Sequence, residues 1–169
     1  MNEIFEKFSM KNQTAVITGG GGLLGKEFCK TLAQAGADVI VADINKDLAQ
    51  KTVDMIADFG GHGIACEVNV TEPDSVQAMA DLAVSETGRL DVIVCSAALD
   101  PKFDGTQGAH KNSFEDYPLE QWQDALNVNL TGLFLCAQVA VKPMIRQNHG
   151  VIINICSTYG LVGPDQRLY

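Results

Sequence analysis

Short β-branched apolar runs alternate along this chain with longer stretches whose apolar residues recur at three- and four-residue steps. Ala15, Val16 and Ile17 form the first run and end in glycines, which predicts a strand. Over 23–35, Leu24, Phe28, Leu32 and Ala35 fall on one helical face, and Gly36 stops the helix. Residues 38–42 predict a second strand, closed by Asp43. A helix over 45–59 follows, with Leu48, Thr52, Met55, Ile56 and Phe59 as its inner face and Gly60 and Gly61 as its end. Residues 63–70 predict a third strand. Thr71 to Asp74 then has the spacing of a capping box, with Pro73 in the first turn of a helix that reaches Thr87 and carries Val76, Met79 and Ala83 on one side. A fourth strand over 90–95 leads into a polar, weakly periodic loop over 99–116. Pro118 opens a long helix to Gln147, with Trp122, Leu126, Leu130, Leu133, Phe134, Ala137 and Val141 as apolar positions. Pro143 lies where it would kink or finish that helix. His149 and Gly150 terminate it, residues 151–155 predict a fifth strand, and residues 158–169 show no regular pattern.

Strands that are apolar throughout, alternating with helices, mean a parallel sheet covered on both faces. The predicted fold is α/β: a Rossmann-type doubly wound parallel sheet in three layers, α/β/α, with right-handed crossovers. Neither a repeat nor a linker divides residues 1–169, so a single dinucleotide-binding domain is expected.

Composition narrows the partners. The 169 residues carry a formal charge of −9, which disfavours nucleic acid, because phosphate binding needs Lys and Arg. The N-terminus lacks the apolar core of a signal peptide, and the apolar stretches read as too short and interrupted to span a membrane. Cys29, Cys66, Cys95, Cys136 and Cys156 show no metal-ligand spacing, so no metal site is expected. They read as reduced thiols buried as small hydrophobes, and a cytoplasmic protein follows.

The candidate chemistry begins at Thr18-Gly-Gly-Gly-Gly-Leu-Leu-Gly25, between a strand and a helix. A turn this tight needs positive φ, and a pyrophosphate must approach bare backbone at a helix N-terminus. Asp43 closes the second strand, 18 residues after Gly25. A carboxylate there accepts hydrogen bonds from the hydroxyls of an adenosine ribose and repels a 2′-phosphate. The nearest cation is Lys46, so the pattern favours NAD over NADP. Methyltransferases that bind S-adenosylmethionine typically place an acidic residue just before the first glycine, where Thr18 stands here.

Taken together, several segments resemble the short-chain dehydrogenase/reductase family, over essentially the whole chain. Thr18, Gly19 and Gly25 resemble its Thr-Gly-x-x-x-Gly-x-Gly loop, although Leu23 falls on the middle glycine. Thr18, Gly19, Gly22 and Gly25 match the Thr-Gly-x-x-Gly-x-x-Gly spacing of the extended branch, which includes sugar epimerases and dehydratases. Asn69-Val70 resembles the Asp-Val that touches the adenine, with Asn in place of Asp. Cys95-Ser96-Ala97-Ala98 stands where the family has Asn-Asn-Ala-Gly, keeping only Ala97. With Leu24 and Ile44 these form the candidate cofactor contacts. Asn129 matches the catalytic Asn within the long helix, and Ser157 falls on the catalytic Ser. The resemblance implies that Ser157 hydrogen-bonds the substrate oxygen and that Asn129 holds a water in a proton relay. A Tyr would exchange the proton, and a Lys four residues later would hold the nicotinamide ribose and lower the Tyr pKa.

Tyr169 lies 12 residues after Ser157 and ends the sequence, without the Lys. The family's later strands and helices, which complete the sheet and the substrate pocket, are also missing. The expectation is therefore the cofactor-binding part of an NAD-dependent oxidoreductase acting on a small alcohol or carbonyl substrate. The loop after Leu99 and residues 157–165 are similar to members from surface-polysaccharide and flagellin-glycan pathways, which hints at a sugar-derived substrate. The family also implies a parent homodimer or homotetramer, with the long helix at the dimer interface. The competing expectation is a non-catalytic dinucleotide-binding module or an inactive, truncated gene product.

Overall fold

A computed structural model of the protein describes residues 6–100 and 114–163. Five strands, β1 (Thr14–Thr18), β2 (Asp38–Asp43), β3 (His62–Glu67), β4 (Val92–Cys95) and β5 (Val151–Asn154), form one sheet in the order β3-β2-β1-β4-β5. All four pairings are parallel. The order reverses at β1, so the crevice between the ends of β1 and β4 is the place where a doubly wound sheet binds ligands.

The helices are α1 (Leu23–Gln34), α2 (Lys46–Ala57), α3 (Pro73–Thr87), α4 (Leu119–Leu126) and α5 (Leu133–Gln147). Two apolar clusters cover the two faces of the sheet. One holds Ile17, Val39 and Val41 with Cys29, Ala33, Ala49 and Ile56 of α1 and α2. The other holds Val16, Ile40 and Ile93 with Val76, Met79 and Ala83 of α3 and Cys136, Val139 and Ala140 of α5. The Rossmann-type expectation is met.

Local readings needed correction in six places. The residues of α1 that face the sheet are Gly25, Cys29 and Ala33, one position on from the predicted stripe, and Leu24 is exposed. Small side chains let this helix lie close to the strands, so the larger stripe sits at the flank. In α2, Ala49, Thr52 and Ile56 are buried, whereas Leu48 and, beyond the helix end, Phe59 are each 40% exposed. β3 stops at Glu67, short of the predicted Val70. The capping box at Thr71 does not form: Glu72 is the N-cap of α3 and its side chain makes no capping bond. Instead Asn69 Oδ1 accepts the Thr71 N–H at 3.1 Å and the Thr71 hydroxyl at 2.9 Å, and the Ser75 hydroxyl accepts the Asn69 N–H. A short-range Asn turn outcompetes the cap. Cys156 is exposed, unlike the other four cysteines, all of which are buried free thiols.

The long helix is the sixth. It runs from Leu119 to Gln147, but residues Asn127–Gly132 form a π-helical segment between α4 and α5. Pro143 sits inside α5 without ending it. Length and apolarity would let this helix cross a bilayer, contrary to the expectation from the interrupted sequence. Its inner face, with Cys136, Val139, Ala140 and Met144, packs in the sheet's core. Trp122, Leu130 and Phe134, apolar positions of the predicted helix, lie on its outer face and are exposed.

Candidate functional site

The glycine turn leaves β1 at the crevice. Gly19 has φ of 68°, and a Cβ there would come within 2.9 Å of Ala97 Cα. A Cβ on Gly25 would run into the Gly19 carbonyl, so the first turn of α1 lies directly on the loop. Gly22 is the N-cap of α1 and supplies no side-chain cap. The N–H groups of that first turn have no side-chain partner from the cap, and with the positive end of the helix dipole they suit an anion. This is a cradle of bare backbone that fits a pyrophosphate.

Thr18 ties the two walls of the crevice together. Its buried Oγ1 accepts the Ser96 N–H at 3.1 Å and the Ala97 N–H at 3.2 Å. That fixes the turn after β4 against the glycine turn, with Ala98 exposed beyond it. The motif position of Thr18 was plain in the sequence. Its role as a strap was not, because an acceptor for two backbone groups leaves no periodic signal.

Asp43 ends β2 and is 8% exposed. Its Oδ1 accepts the Asn45 N–H and its Oδ2 the Gly21 N–H, each at 2.9 Å. A carboxylate has about four acceptor positions, and these two bonds use two of them. Ile44 beside it is exposed, as is Leu24, and both can offer apolar contact to a ring. Asn69 is partly buried with its Oδ1 occupied by Thr71, which turns its NH₂ away as a donor. Val70 is buried against Gly132 of the π-helical segment.

The two predicted catalytic residues sit on different elements. Asn129 lies in the π-helical segment, and its side chain grips the backbone of Leu99: Oδ1 accepts the Leu99 N–H at 2.8 Å and Nδ2 donates to the Leu99 carbonyl at 2.9 Å. One acceptor and one donor position of its amide hold the start of the loop after β4. Ser157 follows β5, where the Ile155 N–H bonds to the Cys95 carbonyl at 3.2 Å. Ser157 Oγ accepts the Tyr159 N–H at 3.1 Å and caps the short 3₁₀ turn Thr158–Gly160. Its own hydroxyl proton remains available to a substrate oxygen. Tyr169, and most of the loop after Leu99, fall outside the described residues. Among the described residues there is no cluster of side chains able to hold a metal ion.

Known proteins share this fold. The family model for short chain dehydrogenases matches residues 13–168. Cyclohexanol dehydrogenase of Acinetobacter sp. (strain SE19) is 36% identical over 152 residues, 90% of this chain and 57% of that protein. The 2-dehydro-3-deoxy-D-gluconate 5-dehydrogenase of Bacillus subtilis (strain 168) is 32% identical over 96% of this chain and 60% of its own length. The solved structure of 7α-hydroxysteroid dehydrogenase complexed with NADH and 7-oxo glycochenodeoxycholic acid superposes with a TM-score of 0.83 at 31% identity, over 99% of this chain and 62% of that one. The chain thus spans rather more than half the length of the relatives it matches. By its family-model match, its parallel sheet and its glycine turn, the chain belongs to the short-chain dehydrogenase family.

Proposed function

We propose that this chain is the cofactor-binding part of an NAD-dependent oxidoreductase acting on an alcohol or carbonyl, sugar-derived compounds among its substrates. The observation that carries the reading is the cradle of Gly19 and Gly25 against Ala97, with the Asp43 carboxylate at its edge. The pyrophosphate lies at Gly22, Leu24 and Gly25. Asp43 receives the adenosine ribose, Ile44, Asn69 and Val70 surround the adenine, and Ser96, Ala97 and Ala98 line the far wall. A 2′-phosphate would meet the Asp43 charge, so NAD is preferred.

When bound, the nicotinamide supplies the hydride chemistry. The residues of this chain place the substrate. Ser157 donates its hydroxyl proton as a hydrogen bond to the substrate oxygen while Tyr159 N–H holds Oγ in place. Asn129 works through Leu99, keeping the wall after β4 in register with the crevice. The free cysteines suit a reducing compartment, the cytoplasm, and the exposed face of α4 and α5 is the surface for a homodimer or homotetramer.

The test is Ser157→Ala in the whole protein, followed by NADH titration and by turnover with a cyclic alcohol and a sugar acid. Turnover falls by at least about 100-fold while NADH affinity changes by less than about twofold. Absence of NADH binding by the unmodified protein would overturn the reading. The 169 residues alone are expected to bind NADH without measurable turnover.

A further inference from the structure

A single peptide plane carries the grip of the fold on the glycine turn. The Gly20 carbonyl accepts the Thr52 hydroxyl at 3.1 Å. On the opposite edge of the same peptide, the Gly21 N–H donates to Asp43 Oδ2 at 2.9 Å. A trans peptide sets its C=O and N–H on opposite edges, so partners at both edges fix its rotation. The Gly20 N–H in turn reaches the Ala42 carbonyl at 3.0 Å.

Thr52 stands in the middle of α2 and is 4% exposed. A helical threonine ordinarily bonds back to the carbonyl one turn earlier, here Leu48, which lies at 3.3 Å. A hydroxyl has one proton, and the shorter contact is the one to Gly20. The other neighbour of the Gly20 carbonyl is the Cys29 thiol at 4.0 Å, a weak donor. Burial pushes that thiol up to about 12, so it stays neutral. Thr52 is therefore the strong partner of this buried carbonyl.

We infer that Thr52 is a positioning residue for the dinucleotide: through the Gly20–Gly21 peptide it orients the Asp43 carboxylate toward the adenosine ribose and thereby sharpens the choice between a free and a phosphorylated 2′-hydroxyl. This rests on the assignment of Asp43 and the glycine turn made under the proposed function. Without the Thr52 hydroxyl only the weak Cys29 thiol, at 4.0 Å, remains at the carbonyl edge of the peptide. The peptide can rotate, the Gly21 N–H leaves Oδ2, and the carboxylate loses the bond that fixes its plane.

The experiment compares Thr52→Val, which keeps the shape without the hydroxyl, with Thr52→Ser, which keeps the hydroxyl. Both are made in the whole protein and titrated with NADH and NADPH, alongside a thermal melt. Thr52→Val is expected to weaken NADH binding about tenfold and NADPH binding by less than about twofold, so that the ratio narrows. Thr52→Ser restores the ratio to within about twofold of the unmodified protein. A lower melting temperature with an unchanged NADH-to-NADPH ratio assigns Thr52 a purely structural role and overturns the inference. Failure of Thr52→Ser to restore the ratio does the same. If valine at this site does not fold, Thr52→Ala gives the same readout. Should the unmodified protein bind neither dinucleotide, the functional reading itself falls, and this inference with it.

Discussion

β2 is buried at five of its six residues, whereas β5 is exposed at three of its four. Both strands are short, parallel and rich in Val and Ile, so their intrinsic preferences are alike. What differs is cover. β2 lies between β1 and β3, beneath α1 and α2, while among the described residues β5 pairs with β4 alone, and Val151, Ile153 and the following Ile155 are 46%, 43% and 40% exposed. The same contrast runs through the helices. α1 turns small residues to the sheet and leaves only Leu23 and Leu24 of its first turn open, whereas the long helix leaves Trp122, Leu130 and Phe134 open along its length. The sheet beneath the glycine turn is the finished side, covered on both faces, and the side of β5 and the long helix has apolar surface open. Bare faces of this kind mark surfaces meant for a partner or for further chain.

The strongest way to break that contrast is at the finished side. Gly25→Val would drive a branched side chain into the Gly19 carbonyl, and the turn would have to open. NADH affinity should drop by at least about 100-fold, measured by fluorescence titration, with the fold retained by circular dichroism. Binding within about fivefold of the unmodified protein would mean that the turn is not the phosphate site.

Next in size is a matched pair in neighbouring strands. Ile93 is fully buried, and Ile153 is 43% exposed. Ile93→Ala should cost about 3 kcal/mol of unfolding free energy, for lost burial and a cavity. Ile153→Ala in the same 169 residues should cost less than about 1 kcal/mol, because much of its surface already faces water. Urea melts of the two variants decide it, and equal costs would show that β5 is covered in solution, by a second copy or otherwise.

Asp91 ties the two sides together at the end of the sheet away from the crevice. Its fully buried carboxylate accepts the Thr14 N–H at 2.8 Å, both Nε and Nη2 of Arg89 at 2.6 Å, and Gln147 Nε2 at 3.3 Å. Burial alone would raise its pKa, but the hydrogen bonds from Arg89 and Thr14, with the nearby charges of Arg89 and His149, outweigh burial and hold it below the usual carboxylate range. A carboxyl held lower in the folded state than in the unfolded chain stabilises fully above its unfolded pKa, and that stability is lost as the pH falls through the folded value. Asp91→Asn should therefore cost about 2 kcal/mol at neutral pH, a value set toward the low side because Arg89 is partly open to water. The difference between variant and parent should shrink as the pH is lowered below the ordinary carboxylate range. A difference that stays constant down to acid pH would show that Asp91 acts through packing alone.

The alternation of strands and helices was legible because period-two and helical patterns are properties of single segments. The glycine turn was legible because the chain can make it only with glycine at Gly19 and Gly25. Long-range matters were not. Which side of α1 meets the sheet depends on the distance between them, and that selects Cys29 and Ala33 over the more apolar Leu24 and Leu32. Thr52 read as a packing residue because its partner, Gly20, lies 32 positions away. The π-helical segment holding Asn129 has no local marker, although Gly132 within it packs on Val70 more closely than a side chain would allow. Asn69 read as an adenine contact, and the neighbouring Thr71 that occupies its oxygen read as a helix cap.

The smallest of the expected effects tests the finer point of the finished side, its preference for NAD. Asp43 is held by two backbone N–H groups, so its position does not depend on the ligand. Removing the carboxylate takes away two ribose acceptors and one negative charge at once. The first loss weakens NADH, and the second relieves the repulsion of a 2′-phosphate. It also frees the Gly21 and Asn45 N–H groups, which would then attract that phosphate. Asp43→Ala should thus lower NADH affinity by about tenfold and raise NADPH affinity by about threefold, narrowing the ratio of dissociation constants. Because collapse of the cradle, as in Gly25→Val, would weaken both dinucleotides together, a movement of the two in opposite directions identifies Asp43 as the residue that reads the ribose. An unchanged ratio would move that role elsewhere on the crevice wall and leave Asp43 as the cap of the glycine turn alone.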